Sequence, residues 1–236
     1  NKSSQAIVST STGVSVTAAA GSANAGFSST SVYYATTSSG TKTKYTSALT
    51  MNPSAGSSLT YYFWTWDGAE YSSSSTSITI TKNEKPSINS MSVTVGTFTA
   101  LGTSSVSSQF RGWADYMTPT ITTNKTGTIN RTIELMRTNS IVNFSVEKTN
   151  VYSSETIATT SSTTLSKITP YTAISKQYGS TINSTYKYIA WRIKYTLSDG
   201  LETSNPVYYP TNTNYFYAIP GMATVSSVQC LDGVSN

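Results

Sequence analysis

Between residues 189 and 198 the chain alternates without a break. Ile189, Trp191, Ile193, Tyr195 and Leu197 are large and apolar, and Ala190, Arg192, Lys194, Thr196 and Ser198 stand between them. A period of two puts the first set on one side of an extended strand and the second set on the other, whereas a helix would scatter both around its circumference. The pattern therefore demands a strand with one face turned to a core. Ile78 and Ile80, set between Ser77, Thr79 and Thr81, repeat it in the first half. Similar runs, "GVSVTA", "TSVYYATT" and "LTYYFWTW" among them, recur at short intervals between clusters of Gly, Pro, Asn and Ser, the habit of sandwiches and barrels. No window has a convincing 3.6-residue period. The nearest, "INRTIELMRTN" from Ile129, is readable either way because of Ile129, Thr132, Ile133 and Leu135. The expected fold class is all-β.

Disorder is the rival that composition has to remove. Ser and Thr make up more than a third of the 236 residues and only 11% are charged, against a usual share of about 25%. Yet 11% are aromatic, with seventeen Tyr and four Trp, and disordered chains are poor in those side chains. β-Branched and aromatic residues fit a pleated, half-buried surface. The doublets Tyr33-Tyr34, Tyr61-Tyr62 and Tyr208-Tyr209 must each send one ring to the face away from a core if they lie in strands.

Two halves of the chain repeat one design. "YYFWTWDGAEYSSSSTSITI" (61 to 80) aligns with "WRIKYTLSDGLETSNPVYY" (191 to 209), so Asp67, Gly68, Glu70 and Ser72 match Asp199, Gly200, Glu202 and Ser204. Asp-Gly between strands is a hairpin signal, because Gly accepts positive φ and Asp bonds to nearby backbone amides. Upstream, Met51-Asn52-Pro53 precedes Thr60-Tyr61, and Ile168-Thr169-Pro170 precedes Thr185-Tyr186. "TKNEKPSINS" (81 to 90) marks the boundary: charged and turn-forming residues follow a strand, and Pro86 cannot donate to a ladder. A Pro corner, a Tyr-bearing strand, an Asp-Gly turn and a Ser-rich return resemble immunoglobulin-like and fibronectin type III-like repeats, common in bacterial surface and phage virion proteins. The resemblance is best over 45 to 88 and 165 to 209, and it lacks the paired cysteines of antibody domains. It implies tandem immunoglobulin-like β-sandwich domains: residues 1 to 84 with a Ser/Ala/Gly-rich N-terminal segment, 85 to 209, and an extension at 210 to 236 that supplies extra strands or an inter-subunit arm. It also makes Trp64 or Trp66, and Trp191, candidate core tryptophans.

Chemistry is scarce. The chain has no His, so Ser-His-Asp, Cys-His and His-ligated zinc systems are excluded. A single cysteine, Cys230, forms no intramolecular disulfide and no Cys-rich metal cluster. Phosphate-binding glycine loops are absent. The best local carboxylate pairs, Asp67 with Glu70 and Asp199 with Glu202, sit in turns expected to be exposed. Two carboxylates fall short of the six to eight oxygens that calcium prefers, so they are weak metal candidates and no cofactor is expected. Trp113, in the turn-like "RGWADY", is the ring chosen for glycan stacking. The net charge of +5 is spread along the chain rather than gathered in a stripe, which argues against nucleic acid. No run approaches the roughly 18 consecutive apolar residues of a membrane helix. The expectation is a non-enzymatic structural protein of an extracellular assembly, a virion decoration, tail or fibre subunit. Its expected partners are copies of itself or other subunits, and surface glycans. A secreted filament subunit or adhesin using strand complementation, and a carbohydrate-binding module, are the alternatives.

Overall fold

The computed structural model describes residues 3–21, 30–96, 116–138, 145–170, 188–210 and 216–218. Trp113 and Cys230 lie outside them. The chain divides into two compact units, Asn1–Lys85 and Pro86–Asn236, and all fifteen elements among the described residues are strands. The protein is all-β. Among the described residues no helix is long and apolar enough to cross a membrane.

Unit 1 contains β1 (Ser4–Ile7), β2 (Val14–Val16), β3 (Ser31–Ala35), β4 (Thr43–Lys44), β5 (Leu49–Met51), β6 (Ser58–Trp66) and β7 (Thr76–Lys82). One sheet runs β1-β7-β6-β3-β4, with β1 parallel to β7, and the other pairs β2 with β5. Alternation along β6 decides its two faces. Leu59, Tyr61 and Phe63 pack with Ile78 against a core of Ile7, Val16, Met51 and Ile80. Thr60, Tyr62, Trp64 and Trp66 fall on the opposite face, where Tyr33 pairs with Trp64 in register. The Tyr doublets thus split between faces, Tyr34 and Tyr61 stacking edge-on inside at 5.4 Å between centroids. Trp64 is buried, as expected of a core tryptophan, although it lies apart from the Ile7, Val16, Met51 and Ile80 cluster, and Trp66 is only half-buried. The strand parity that sends Phe63 inward sends both indoles outward.

Unit 2 contains β8 (Ile88–Val95), β9 (Met117–Thr123), β10 (Gly127–Thr138), β11 (Lys148–Ile157), β12 (Thr163–Thr164), β13 (Tyr188–Ser198), β14 (Val207–Tyr209) and β15 (Phe216–Ala218). One sheet is β11-β10-β13-β14, with β15 also on β13, and the other is β12-β9-β8. The order matches unit 1 strand for strand: β4-β3-β6-β7 answers β11-β10-β13-β14, and β2-β5 answers β9-β12. The first strands differ, since β1 lies parallel on β7 while β8 lies antiparallel on β9. The segment that is readable either way is the strand β10, paired with β13 over eleven residues. Ile129, Ile133 and Leu135 enter the core beside Ile189, Trp191, Ile193, Tyr195 and Leu197, all of them fully buried. Beyond residue 209, Phe216 pairs with Trp191 within the same unit.

A proline shapes the second sheet. Pro119 sits in β9, between β8 and β12, and its ring nitrogen cannot donate to β12. Pairing of β12 with β9 ends at Thr164, apart from a bond from the Leu165 amide to the Pro119 carbonyl. It resumes when Met117 and Ile168 exchange backbone bonds at 2.9 Å. Ser166 and Lys167 are left between.

Candidate functional site

The repeated Asp-Gly motif builds the same turn twice. In unit 1 the Asp67 carboxylate accepts the amides of Ala69 and Glu70, each at 3.0 Å, and the Asp67 amide donates to the Glu70 carbonyl. In unit 2 Asp199 accepts Leu201 at 2.9 Å and Glu202 at 2.8 Å, and its amide donates to the Glu202 carbonyl. Gly68 and Gly200 take φ of 108° and 90°, a region that side chains strain to enter. The serines close each hairpin: the amides of Ser72 and Ser204 donate to Thr65 and Leu197 at 2.8 Å, and their hydroxyls accept the amides of the same two residues. What repeats in the glutamates is their backbone; the Glu70 side chain is exposed.

The tips of both turns are exposed, at Gly68, Ala69 and Glu70 and at Gly200 and Leu201, but their aspartates are not. Asp67 is buried, and the Asp199 side chain is 10% exposed, because each carboxylate is drawn in over its own amides. The oxygen that a cation would need already accepts two N–H groups. Among the described residues no three His, Cys, Asp or Glu side chains gather in one place. Asp199 also pairs with Lys125 at 2.8 Å, so Asp199→Ala should lower stability by about 2 kcal/mol. Gly200→Ala should cost only about 1 kcal/mol, since nothing stands within 4 Å of an added Cβ and backbone strain alone opposes it. Urea unfolding of both variants checks the order.

A cleft of about 620 Å³ opens on the inner side of unit 1, between Val14 to Ala19 and the ends of β3, β6 and β7. Gln5, Val32, Phe63 and Thr76 line it with uncharged groups, and none of the described residues around it carries a titratable side chain. It offers shape without acid–base chemistry.

The outer face of the same sheet is richer. The rings of Trp66 and Tyr71 lie 4.6 Å apart, Tyr33 meets Tyr71 edge-on at 5.2 Å, and Tyr62 stacks on Trp64 at 6.3 Å. Lys42 places its ammonium 4.7 Å from the Trp64 ring and 4.8 Å from that of Tyr71. Trp113, the ring singled out from the sequence, lies outside the described residues. No sequence signal marked Lys42, which reaches the rings from the loop between β3 and β4.

Unit 2 hides a charge in its core. Arg131 lies on the inward row of β10, opposite Tyr195 on β13, and is only 2% exposed. It donates to Glu155 at 3.2 Å and to the Ser166 carbonyl, while Glu155 accepts the Ser166 amide at 2.9 Å. The pair therefore holds both backbone groups of Ser166, in the stretch between the two places where this edge pairs with β9. Burial pushes the Tyr195 hydroxyl well above its usual range, and the Arg131 charge opposes the shift. On the opposite face Glu134, also buried, sits between Arg192 at 2.7 Å and Lys194 at 3.2 Å. The Arg131 group ties β10 and β11 to Ser166, and the Glu134 group ties β10 to β13.

Compared with known proteins, the chain matches no family model and no curated protein.

Proposed function

We propose that the chain is a non-enzymatic structural subunit of an extracellular assembly, a virion component of the decoration, tail or fibre kind. In this reading two immunoglobulin-like sandwiches join copies of the chain through open strand edges. The observation that carries it is β8. This strand of eight residues, "INSMSVTV", bounds its sheet, and among the described residues no strand pairs with its far side. It contains neither charge nor proline, the devices by which proteins blunt such edges.

The bond pattern says which groups remain. Gly96 donates to the Tyr116 carbonyl, so by antiparallel alternation Thr94 and Ser92 bond to β9, and the amides of Met91, Val93 and Val95 face outward. An uncharged row of donors and acceptors favours addition of another strand. The immunoglobulin-like assignment draws support from strand order. With β3, β6 and β7 as the C, F and G strands and β4 as C′, β2 and β5 take the places of B and E, and unit 2 repeats the order. The absence of His and the uncharged cleft agree with a role outside catalysis.

Light scattering over a concentration series tests the proposal. The mass should rise above that of one chain, and Val93→Pro, which removes an outward donor but no bond to β9, should return it to a monomer. A chain monomeric at every concentration would refute assembly through its own copies.

A further inference from the structure

We propose that the outer face of the larger sheet in unit 1 binds an acidic saccharide, with Trp66, Tyr71 and Tyr33 as the stacking surface and Lys42 and Lys44 as the cationic groups. All three rings are half-buried, on the face turned away from the core. Their contacts at 4.6, 5.2 and 6.4 Å make one continuous aromatic wall. Sugar rings present C–H faces to such walls and hydroxyls at their rims. Further along the same face the strands carry hydroxyls, Thr60 bonded to Thr79 and Ser58 to Thr81, each at 2.8 Å.

The charge selects an acidic ligand. Lys42 is held over Trp64 and Tyr71, and among the described residues it makes no ion pair. Lys44 is exposed and sits opposite Tyr33 in the register of β3 and β4. An ammonium held over an aromatic wall keeps its positive charge beside the rings, where it can meet a carboxylate or sulfate of a stacked sugar. Single-stranded nucleic acid would use rings too, but it asks for a basic groove that follows several phosphates, and among the described residues the wall is flanked by Lys42 and Lys44. The residues of the site belong to unit 1 and those of the β8 edge to unit 2, so separate variants test the two proposals.

Affinity electrophoresis of the full chain tests it, in gels holding polygalacturonate, dextran sulfate, uncharged dextran or oligo(dT). Polygalacturonate should retard the chain, and added salt should weaken the effect, as screening requires. Trp66→Ala and Lys42→Gln should each weaken retention about tenfold, a loss in the range of one stacking or cation–π contact. Trp66→Phe should keep most of it. Retention by dextran sulfate with the same sensitivity to variants keeps the site and assigns sulfate as its anion. Melting curves establish that each variant is folded, and Lys42→Gln, which leaves every aromatic ring in place, stands in should Trp66→Ala unfold. Equal retention of both variants would show diffuse charge alone and overturn the proposal. So would equal binding of uncharged dextran, tighter variant-sensitive binding of oligo(dT), or no retention by any probe.

Discussion

Glu155→Ala should destabilise unit 2 by about 3 kcal/mol, the low end of the loss caused by removing one partner of a buried ion pair. The asymmetry between the partners sets the size. The Arg131 side chain is 3% exposed and that of Glu155 27%, so losing the carboxylate strands a charge that water cannot reach. Two backbone groups are affected as well. The Ser166 amide loses its acceptor, and the Ser166 carbonyl stays tied to an arginine whose counter-charge has gone. Arg131→Met should be milder, because Glu155 is open enough to remain hydrated. The double change Arg131→Met with Glu155→Leu should recover most of the loss, since well-packed apolar replacements of buried pairs are often neutral. Urea unfolding followed by hydrogen exchange of β10 and β13 amides reads all three. A loss under about 0.5 kcal/mol for Glu155→Ala would place the pair among surface ion pairs of little consequence.

Trp191→Ala should cost about 3–5 kcal/mol, the range for a large aromatic removed from a packed core. Trp191 is fully buried, faces Leu135 across β10, and its ring lies 4.9 Å from that of Phe216. Phe216 belongs to β15, a strand of three residues paired to β13 at Ile189 to Trp191. So short a strand is held chiefly by the side chain that it covers. The variant should therefore lose protection of β15 amides against hydrogen exchange before it loses that of β10. Trp191→Phe, which keeps an apolar ring, should retain β15 and cost less. If Trp191→Ala left β15 protected, the strand would be held by something other than the Trp191–Phe216 contact.

The strands were legible wherever one face meets the core and the other meets water. Residues 189 to 198 and 77 to 81 show it, and the inward row of β13 is the apolar row of the sequence. β10 resisted because both of its faces are buried: Thr132, Glu134 and Met136 lie inside on one face as Ile129, Ile133 and Leu135 do on the other. A contrast of period two fades when neither side meets solvent. Parity did hold one clue, since Arg131 alternates with Ile129, Ile133 and Leu135 and so had to point inward. The Asp-Gly repeat was legible as a turn, because its hydrogen bonds run between residues two to seven apart in sequence. Its burial was not, since that depends on how each carboxylate folds back over the loop. Lys42 and its aromatic wall could not be found from spacing, because a loop brings the cation to β6 from more than twenty residues away.

Hydrogen exchange at β8 tests assembly most directly. Compared between dilute and concentrated protein, the outward amides of Met91, Val93 and Val95 should exchange freely when dilute. They should become protected as the mass rises, while the amides of Ser92 and Thr94, bonded to β9, stay protected throughout. Outward amides that exchange freely in the assembled state would contradict strand addition at this edge.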